Sequence, residues 1–202
     1  MGIVLAAGRG RRFGQPKAFV PWGQSSLVEH SVYLLHSIGL EAAVVLRDEH
    51  LDYSLDAISL VNLRADDGLA TSVSTGLRWL HANFPGYGAC LVLADQPFVR
   101  ASDFKTVLSE FLFRAPGAHV VRPCYDGKPG HPVVLDASVI PSFLNLKGDR
   151  GLGPLLGDRH DVAQIEIAVG SRPHPAFDID TTDDYQKAIQ WLAQEGSAGG
   201  IV

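Results

Sequence analysis

The chain has 202 residues, of which 46% are hydrophobic and 19% are charged, and its formal net charge at pH 7 is −5. Such a chain can bury one sizeable core, and its negative charge argues against a general nucleic-acid binder. No apolar run is long enough to cross a membrane, and the basic residues near the start follow the first apolar run, unlike those of a signal peptide. Cys90 and Cys124 lie in apolar stretches, which is typical of reduced core residues in a cytoplasmic protein.

Short apolar runs alternate with longer segments of helical periodicity along the whole chain. This alternation predicts an α/β fold, with a mostly parallel sheet between two layers of helices. Residues 1–195 are expected to form this single Rossmann-like three-layer α/β/α domain, and residues 196–202 a flexible tail. In chain order we predict a strand at 2–7, a helix at 26–39, strands at 42–46 and 59–63, a helix at 70–84, a strand at 89–94, a helix at 102–115, strands at 119–123, 131–135 and 161–167, and a helix at 181–196.

Several of the predicted helices carry recognisable end signals. Ser26 and Glu29 have the spacing of a capping box, and Gly39 is placed to end the same helix. Ser102 is the expected cap of the third helix, and Thr181 or Thr182 that of the last one.

A glycine-rich basic loop, VLAAGRGRRFGQPK at 4–17, follows the first predicted strand. Its glycines are spaced GxGxxxG, which does not match the dinucleotide-binding fingerprint, and Lys17 follows a proline, which does not match a Walker A loop. Glycines let backbone N–H groups approach an anion, and basic side chains neutralise phosphate charge. We therefore expect an open nucleotide-binding loop rather than a solvated basic turn. Its residues are Leu5, Ala6 and Ala7 for the base edge, and Gly8, Arg9, Gly10, Arg12, Gly14 and Lys17 for the phosphates.

Ligands of such sheets bind beyond the carboxyl ends of the strands, which directs attention to three acidic residues. Asp95 ends an apolar strand, where a carboxylate is costly unless it meets a cation, although a simple turn aspartate is the alternative. Asp178 and Asp180 precede the last helix, where ordinary helix capping is the alternative.

The loop sequence LAAGRGRRFGQPK resembles the LAAGxSxRxGxxK signature of nucleotidyltransferases with a GT-A-like fold. It is most similar to the MobA-like branch, and within it to the molybdenum cofactor cytidylyltransferases. Further stretches resemble later motifs of that family in the same order, with Gly10, Gln96 and Thr182 as departures from its usual residues. These stretches are DDGLATSVSTGL (66–77), LADQPFV (93–99), GKPGHPVVL (127–135), GDRG (148–151) and FDIDTTDDY (177–185).

The resemblance implies transfer of CMP from CTP to molybdopterin, with Mg²⁺ or Mn²⁺ as cofactor and pyrophosphate as product. It implies a nucleotide-binding half at about 1–100, an acceptor-binding half at about 101–195, and transient contact with a molybdoenzyme or its chaperone. Ala7 favours the cytidylyltransferases, whose signature is LAAG, over guanylyltransferases with LAGG. The implied roles are catalysis by Lys17 and Arg12, metal binding by Asp95 and Asp180 (with Asp178 as second choice), further nucleotide contacts from Gly68, Thr71 and Ser72, and acceptor binding by Gly130, His131 and Arg150.

From the residues alone, other functions remain open. The acceptor can be another phosphorylated compound, such as a sugar phosphate. A non-catalytic protein that binds and delivers a nucleotide or cofactor would also keep the glycine-rich loop. Thr71 and Ser72 can equally be helix caps, and His131 a structural hydrogen-bonding residue.

Overall fold

The structure is a computed structural model that describes residues 1–10, 12–47, 50, 53–114, 116–148, 152–157 and 159–197. Most of its strands form one central sheet, and two short strands form a separate hairpin. The sheet strands are β1 (Gly2–Leu5), β4 (Ala42–Leu46), β5 (Ile58–Val61), β6 (Ala89–Leu93), β7 (Val120–Tyr125), β8 (Lys128–Pro129), β9 (Val133–Leu135) and β10 (Val162–Ile167), and the hairpin strands are β2 (Pro21–Trp22) and β3 (Ser25–Ser26).

The strands follow one another across the sheet in the order β5–β4–β1–β6–β9–β7–β10, and β8 pairs with β7 at its end. Strand β1 pairs in parallel with both β4 and β6, and β7 pairs in parallel with β10. Strand β9 is antiparallel to both of its neighbours, β6 and β7. The predicted mostly parallel sheet is therefore confirmed.

Helices cover both faces of the sheet, because alternate residues of its buried strands point to opposite sides. Ile3 and Leu5 pack with α2 (Leu69–Asn83) and α4 (Leu152–Gly157). Val4 packs with α1 (Leu27–Ser37) and α3 (Ala101–Phe113) on the other face. The predicted three-layer α/β/α arrangement is confirmed. The last helix, α5 (Thr182–Ser197), packs with the β2–β3 hairpin in a third apolar cluster.

The helix ends agree with the sequence in α1 and differ in α3. The Ser26 backbone N–H donates to Glu29 Oε2 at 2.7 Å, and Gly39 has a φ of +79°, so the predicted capping box and stop are confirmed. In α3, the predicted Ser102 cap is wrong. The helix begins at Ala101, and Asp103 accepts the Arg100 N–H at 2.9 Å. Asp103 is held there by two hydrogen bonds from Arg172.

The last helix begins close to its predicted start and ends later than predicted. The N–H of Asp184 donates to Thr181 Oγ1 at 3.1 Å, and the Thr181 N–H donates to Asp184 Oδ2 at 2.9 Å, so Thr181 is the cap. The helix continues to Ser197, whereas the tail is predicted to begin at 196. Residues 198–202 lie outside the described part of the chain.

Candidate active site

A cavity of about 550 Å³ lies where β1, β4 and β6 end, on the side of the sheet's carboxyl edge. This is where ligands of parallel α/β sheets bind. Most of the residues predicted from the glycine-rich loop line it, whereas Ala6, Gly14 and Thr71 are not part of its lining. The predicted site residues on the cavity are Leu5, Ala7, Gly8, Arg9, Gly10, Arg12, Lys17, Gly68, Ser72, Asp95, Asp178 and Asp180.

Lys17 joins two acidic side chains at this cavity. Its Nζ lies 2.7 Å from Asp95 Oδ2 and 2.8 Å from Asp180 Oδ1. The Lys17 side chain is only 14% exposed. The backbone ties the same segments together, because the Ile179 N–H donates to the Asp95 carbonyl at 3.0 Å. Arg12 approaches from the more exposed side and donates to Asp180 Oδ2 at 2.7 Å.

The charges of this cluster stabilise one another. Burial lowers the pKa of Lys17, but Asp95 and Asp180 outweigh it, and the pKa stands above its ordinary value. Burial likewise raises the pKa of Asp180, but Lys17 and Arg12 bring it below its ordinary value. Near neutral pH the cluster therefore holds a charged ammonium group against charged Asp180.

Asp178 lies in a different environment from Asp180, although only Ile179 separates them. Its Oδ1 accepts a hydrogen bond from Gln96 Nε2 at 2.8 Å. Burial raises the pKa of Asp178, and the Gln96 hydrogen bond offsets only part of that shift. Of the two candidates for the second metal ligand, Asp180 is the one that shares the Lys17 ammonium group with Asp95.

Gly10 gives the loop its course between β1 and Lys17. Its φ is +61°, and a Cβ at this position would lie 2.0 Å from the Gln15 carbonyl oxygen. The Gly10 carbonyl accepts the N–H groups of Phe13 and Gly14, both at 2.8 Å. Gly14 also has a positive φ, of +82°, but a Cβ there would meet open space. The close approach of Gln15 therefore demands glycine at position 10.

The sequence analysis did not predict the roles of Arg47 and Asp66, two residues at the mouth of this cavity. Arg9 Nε donates to Asp66 Oδ1 at 2.6 Å, and Arg47 Nη2 contacts the same oxygen. The hydrogen bond from Arg9 is the main cause of a pKa of Asp66 below its ordinary value. Arg47 directly follows β4, so the rule that sites lie beyond strand ends could have identified it.

The start of α2 is held by hydroxyl groups, and the helix cap is Gly68 rather than Thr71 or Ser72. Asn62 Nδ2 donates to Thr71 Oγ1 at 2.9 Å and to Ser72 Oγ at 3.0 Å. Thr71 Oγ1 also lies 2.8 Å from the carbonyl oxygens of Arg64 and Gly68. Ser72 lines the cavity, whereas the hydroxyl of Thr71 fixes the loop that leads into α2.

A second cavity, of about 300 Å³, adjoins the first, because Leu5, Leu69, Leu93 and Asp178 line both. The predicted acceptor residues Gly130 and His131 line the second cavity. The third, Arg150, lies outside the described residues.

His131 is fixed on the wall of the second cavity. Its Nδ1 lies 3.2 Å from Gln96 Oε1, and its carbonyl accepts the Tyr125 hydroxyl at 2.8 Å. Burial, assisted by the charge of Arg122, lowers the pKa of His131 to about 4. The imidazole is therefore neutral near neutral pH. A Cβ at Gly130 would lie 2.7 Å from the Tyr125 ring, so a glycine is needed to bring this loop against the ring.

The donor set at the first cavity matches a hard divalent cation. Mg²⁺ is typically held by one or two carboxylates together with substrate phosphate oxygens, and Asp95 and Asp180 meet at one ammonium group. Within the described residues there is no group of three or more His, Cys, Asp or Glu side chains that could hold a metal by itself.

In the same part of the chain, no helix combines the length and apolar character needed to cross a membrane.

Known proteins with a similar sequence carry the names of nucleotidyltransferases. A "Probable molybdenum cofactor guanylyltransferase" of Bacillus cereus (strain Q1) is 29% identical over 115 residues, which is 54% of this chain. The chain thus spans about half of that relative, 55% of its length. The "Molybdenum cofactor cytidylyltransferase" of Escherichia coli (strain K12) is 25% identical over 197 residues, which is 91% of this chain and 92% of the relative.

A solved structure supports the fold independently. Rv0371c of Mycobacterium tuberculosis H37Rv, in a complex with manganese, matches with a TM-score of 0.72 and 23% identity, covering 94% of this chain and 97% of that one. The fold is thus the Rossmann-like, GT-A-like type that the sequence resemblance implied. The model of the MobA-like NTP transferase domain matches residues 2–163. The chain therefore belongs to the MobA-like NTP transferase family.

Proposed function

We propose that this protein transfers a nucleoside monophosphate from an NTP to the phosphate of a molybdopterin acceptor and releases pyrophosphate. The NTP that we propose is CTP. The observation that carries the proposal is the pair of adjoining cavities, with Lys17, Asp95 and Asp180 joined by hydrogen bonds at the first. Transfer between two substrates requires two sites that share a boundary. A protein that only binds and delivers a nucleotide needs no such ion cluster.

In this proposal the NTP occupies the first cavity. An acceptor phosphate oxygen attacks the α-phosphorus, and the bond from that phosphorus to the bridging oxygen of the β-phosphate breaks. Negative charge grows on the phosphoryl oxygens and on the leaving pyrophosphate. Lys17, with Arg12 beside it, is placed to neutralise that charge, and fixed charges are effective because they need no reorganisation during the reaction. Residues 1–100 supply most of this cavity's lining, which supports their assignment as the nucleotide-binding half.

We propose that Asp95 and Asp180 would hold a divalent cation, Mg²⁺ or Mn²⁺. The use of a divalent cation, though not the identity of its ligands, is supported by the manganese complex of the Mycobacterium tuberculosis structure. Such a cation would neutralise charge on the triphosphate and on pyrophosphate as it leaves.

Base selection is assigned to the end of β1. Ala7 lines the first cavity, and its 4% exposed side chain also belongs to the apolar cluster under α2. We propose that glycine at this position would leave more room for a larger base. This favours cytosine over guanine. The relatives carry both names, guanylyltransferase and cytidylyltransferase, so the argument for CTP rests on this residue.

The acceptor would occupy the second cavity, against Gly130 and His131. Acceptor binding by Arg150, which lies outside the described residues, stays a prediction. Most of that lining comes from residues beyond 101, which supports their assignment as the acceptor-binding half.

We also propose a cytoplasmic location and transient contact with a molybdoenzyme or its chaperone. The cytoplasmic location is supported by two buried cysteines that form no disulfide, as is usual in a reducing compartment.

A screen of pyrophosphate release tests the proposed function. Each of the four NTPs would be combined with Mg²⁺ and with molybdopterin, a sugar phosphate or no acceptor. We expect release that requires both CTP and molybdopterin. If pyrophosphate is released with the sugar phosphate and not with molybdopterin, the acceptor is a sugar phosphate. If CTP binds but no combination releases pyrophosphate, the protein only binds and delivers a nucleotide.

A further inference from the structure

Arg122 lies at an unusual place for a charged residue. It is in the middle of β7, on the face of the sheet where Val120 and Val133 join the apolar cluster under α2. Its exposed fraction is only 8%. A position of this kind normally carries an apolar side chain, because each strand in the centre of such a sheet is covered on both faces.

The guanidinium group of Arg122 is also poorly satisfied. Its Nε is buried and has no hydrogen-bond partner, and within the described residues no carboxylate forms an ion pair with it. Two other arginines of low exposure differ. Arg172 makes two hydrogen bonds to Asp103, at 2.8 and 2.7 Å, and Arg114 contacts Asp136. An uncompensated buried charge destabilises a fold, so a ligand that supplies the missing anion is the physical explanation we favour.

The cavity in front of Arg122 suits an anion. Arg122 and Lys128 both line the second cavity, where His131 is neutral near neutral pH. Asp178 is the one carboxylate among its described lining residues, and it belongs to the boundary with the first cavity. The apolar side chains of Val133, Leu152 and Leu156 line the same cavity. They lower the local dielectric constant and so strengthen the attraction between Arg122 and a negative group.

We propose that Arg122 binds the phosphate monoester of the acceptor substrate, and that it is thereby a specificity-determining residue of the second cavity. This inference rests on the proposed function for the identity of the acceptor. A planar guanidinium binds phosphate through two parallel hydrogen bonds, and Arg122 lines the cavity that such a phosphate would enter. Lys128, exposed and at the same cavity, adds a second positive charge.

The first test separates the two substrates kinetically. In Arg122→Gln, we expect the KM for molybdopterin to rise by about tenfold to hundredfold, as for loss of a charged hydrogen bond, with the KM for CTP changed by less than about twofold. Arg122→Lys should restore part of the loss. The matched control is Lys187→Gln, which removes one positive charge from an exposed position of α5 and should change neither KM. An unchanged KM for molybdopterin in Arg122→Gln would overturn the proposal and leave the proposed function standing.

The second test needs no turnover and uses inorganic phosphate as the probe. Imidazole NMR signals of His131, assigned with His131→Asn, should shift when phosphate is added to the wild type, and should not shift in Arg122→Gln. Thermal unfolding of Arg122→Gln should occur at the wild-type temperature or above it, because an uncompensated charge has been removed. If no NTP and acceptor give turnover but the phosphate shift depends on Arg122, the proposed function fails and the anion site stands. Unmoved His131 signals in the wild type would overturn the anion site itself.

Discussion

Lys17 Nζ lies 2.8 Å from Asp180 Oδ1, although 163 residues separate the two in the sequence. The loop after the first strand and the segment before the last helix therefore meet at one ion pair. Asp95, at the end of a third segment, joins the same ammonium group. Bringing distant segments together around partly buried charges costs conformational entropy and desolvation. Clusters of this kind occur often at functional sites, so we expect this one to take part in catalysis.

The turn at Gly10 should be essential for nucleotide binding. Gly10→Ala places a Cβ 2.0 Å from the Gln15 carbonyl oxygen, so the loop must move, and we expect the KM for CTP to rise by about tenfold or more. Gly14→Ala is the matched control, because it has a positive φ but open space around it. Steady-state kinetics of both variants measure the two KM values. Equal effects of the two substitutions would show that backbone strain alone, and not the contact with Gln15, is responsible.

Asp95 should be needed for metal-dependent activity. Asp95→Asn removes a charged oxygen ligand, and we expect the rate at saturating Mg²⁺ to fall by about 10² or more. Asp178→Asn is the comparison, because Asp178 accepts a hydrogen bond from Gln96 and does not contact Lys17. It should reduce the rate far less than Asp180→Asn does. A Mg²⁺ titration in which Asp178→Asn is the more damaging of the two would assign the second ligand to Asp178 instead.

Ala7 should contribute to the choice of base. Ala7→Gly enlarges the first cavity beside the end of β1, and we expect the preference for CTP over GTP to weaken by about 1–3 kcal/mol without being abolished. Competition between the two nucleotides gives the ratio of their kcat/KM values, which measures this preference in the wild type and in Ala7→Gly. A wild-type enzyme that prefers GTP would contradict the role of Ala7 and leave nucleotidyl transfer intact.

His131 should make the protein less stable in mild acid. Its pKa in the folded protein is about 4 because of burial and Arg122, whereas an unfolded histidine titrates near 6.5. Between these values the unfolded chain binds a proton that the folded one does not, so the free energy of unfolding falls as pH drops from about 6.5 towards 4. The contribution of this one residue is on the order of 1–3 kcal/mol.

Urea unfolding at pH 7.5 and at pH 4.5 measures this dependence. His131→Asn keeps a polar atom near the position of Nδ1 and cannot titrate, so its stability should fall less between the two pH values than that of the wild type. The other histidines contribute equally to both proteins. Parallel losses in the two proteins would mean that folding does not lower the pKa of His131.

The sequence was sufficient for the layers of the fold, since apolar periodicity directly reflects which faces are buried. It was insufficient for its shortest parts. Helix α4 reads LGPLLG, and its glycines and proline hide a helix that tertiary packing supports through Leu152 and Leu156. The β2–β3 hairpin has two residues in each strand, which is too short for a period-2 pattern to show.

The first cavity was more predictable than the second. Lys17 and Asp95 could be proposed because each follows a buried strand, and parallel strands bring their carboxyl ends together. Arg122 could not be found in this way, since it lies inside a predicted strand, at 119–123, and only its burial in the folded protein makes its charge notable.

Pyrophosphate release by wild type and by Lys17→Ala, with CTP, Mg²⁺ and molybdopterin present, tests the central assignment most directly. Lys187→Ala, which removes an exposed lysine of α5, serves as the control, and circular dichroism confirms that each variant is folded. We expect release by the wild type and the control, and a rate lower by about 10² or more in Lys17→Ala. A folded Lys17→Ala variant with near-normal release would contradict the role of the Lys17–Asp95–Asp180 cluster.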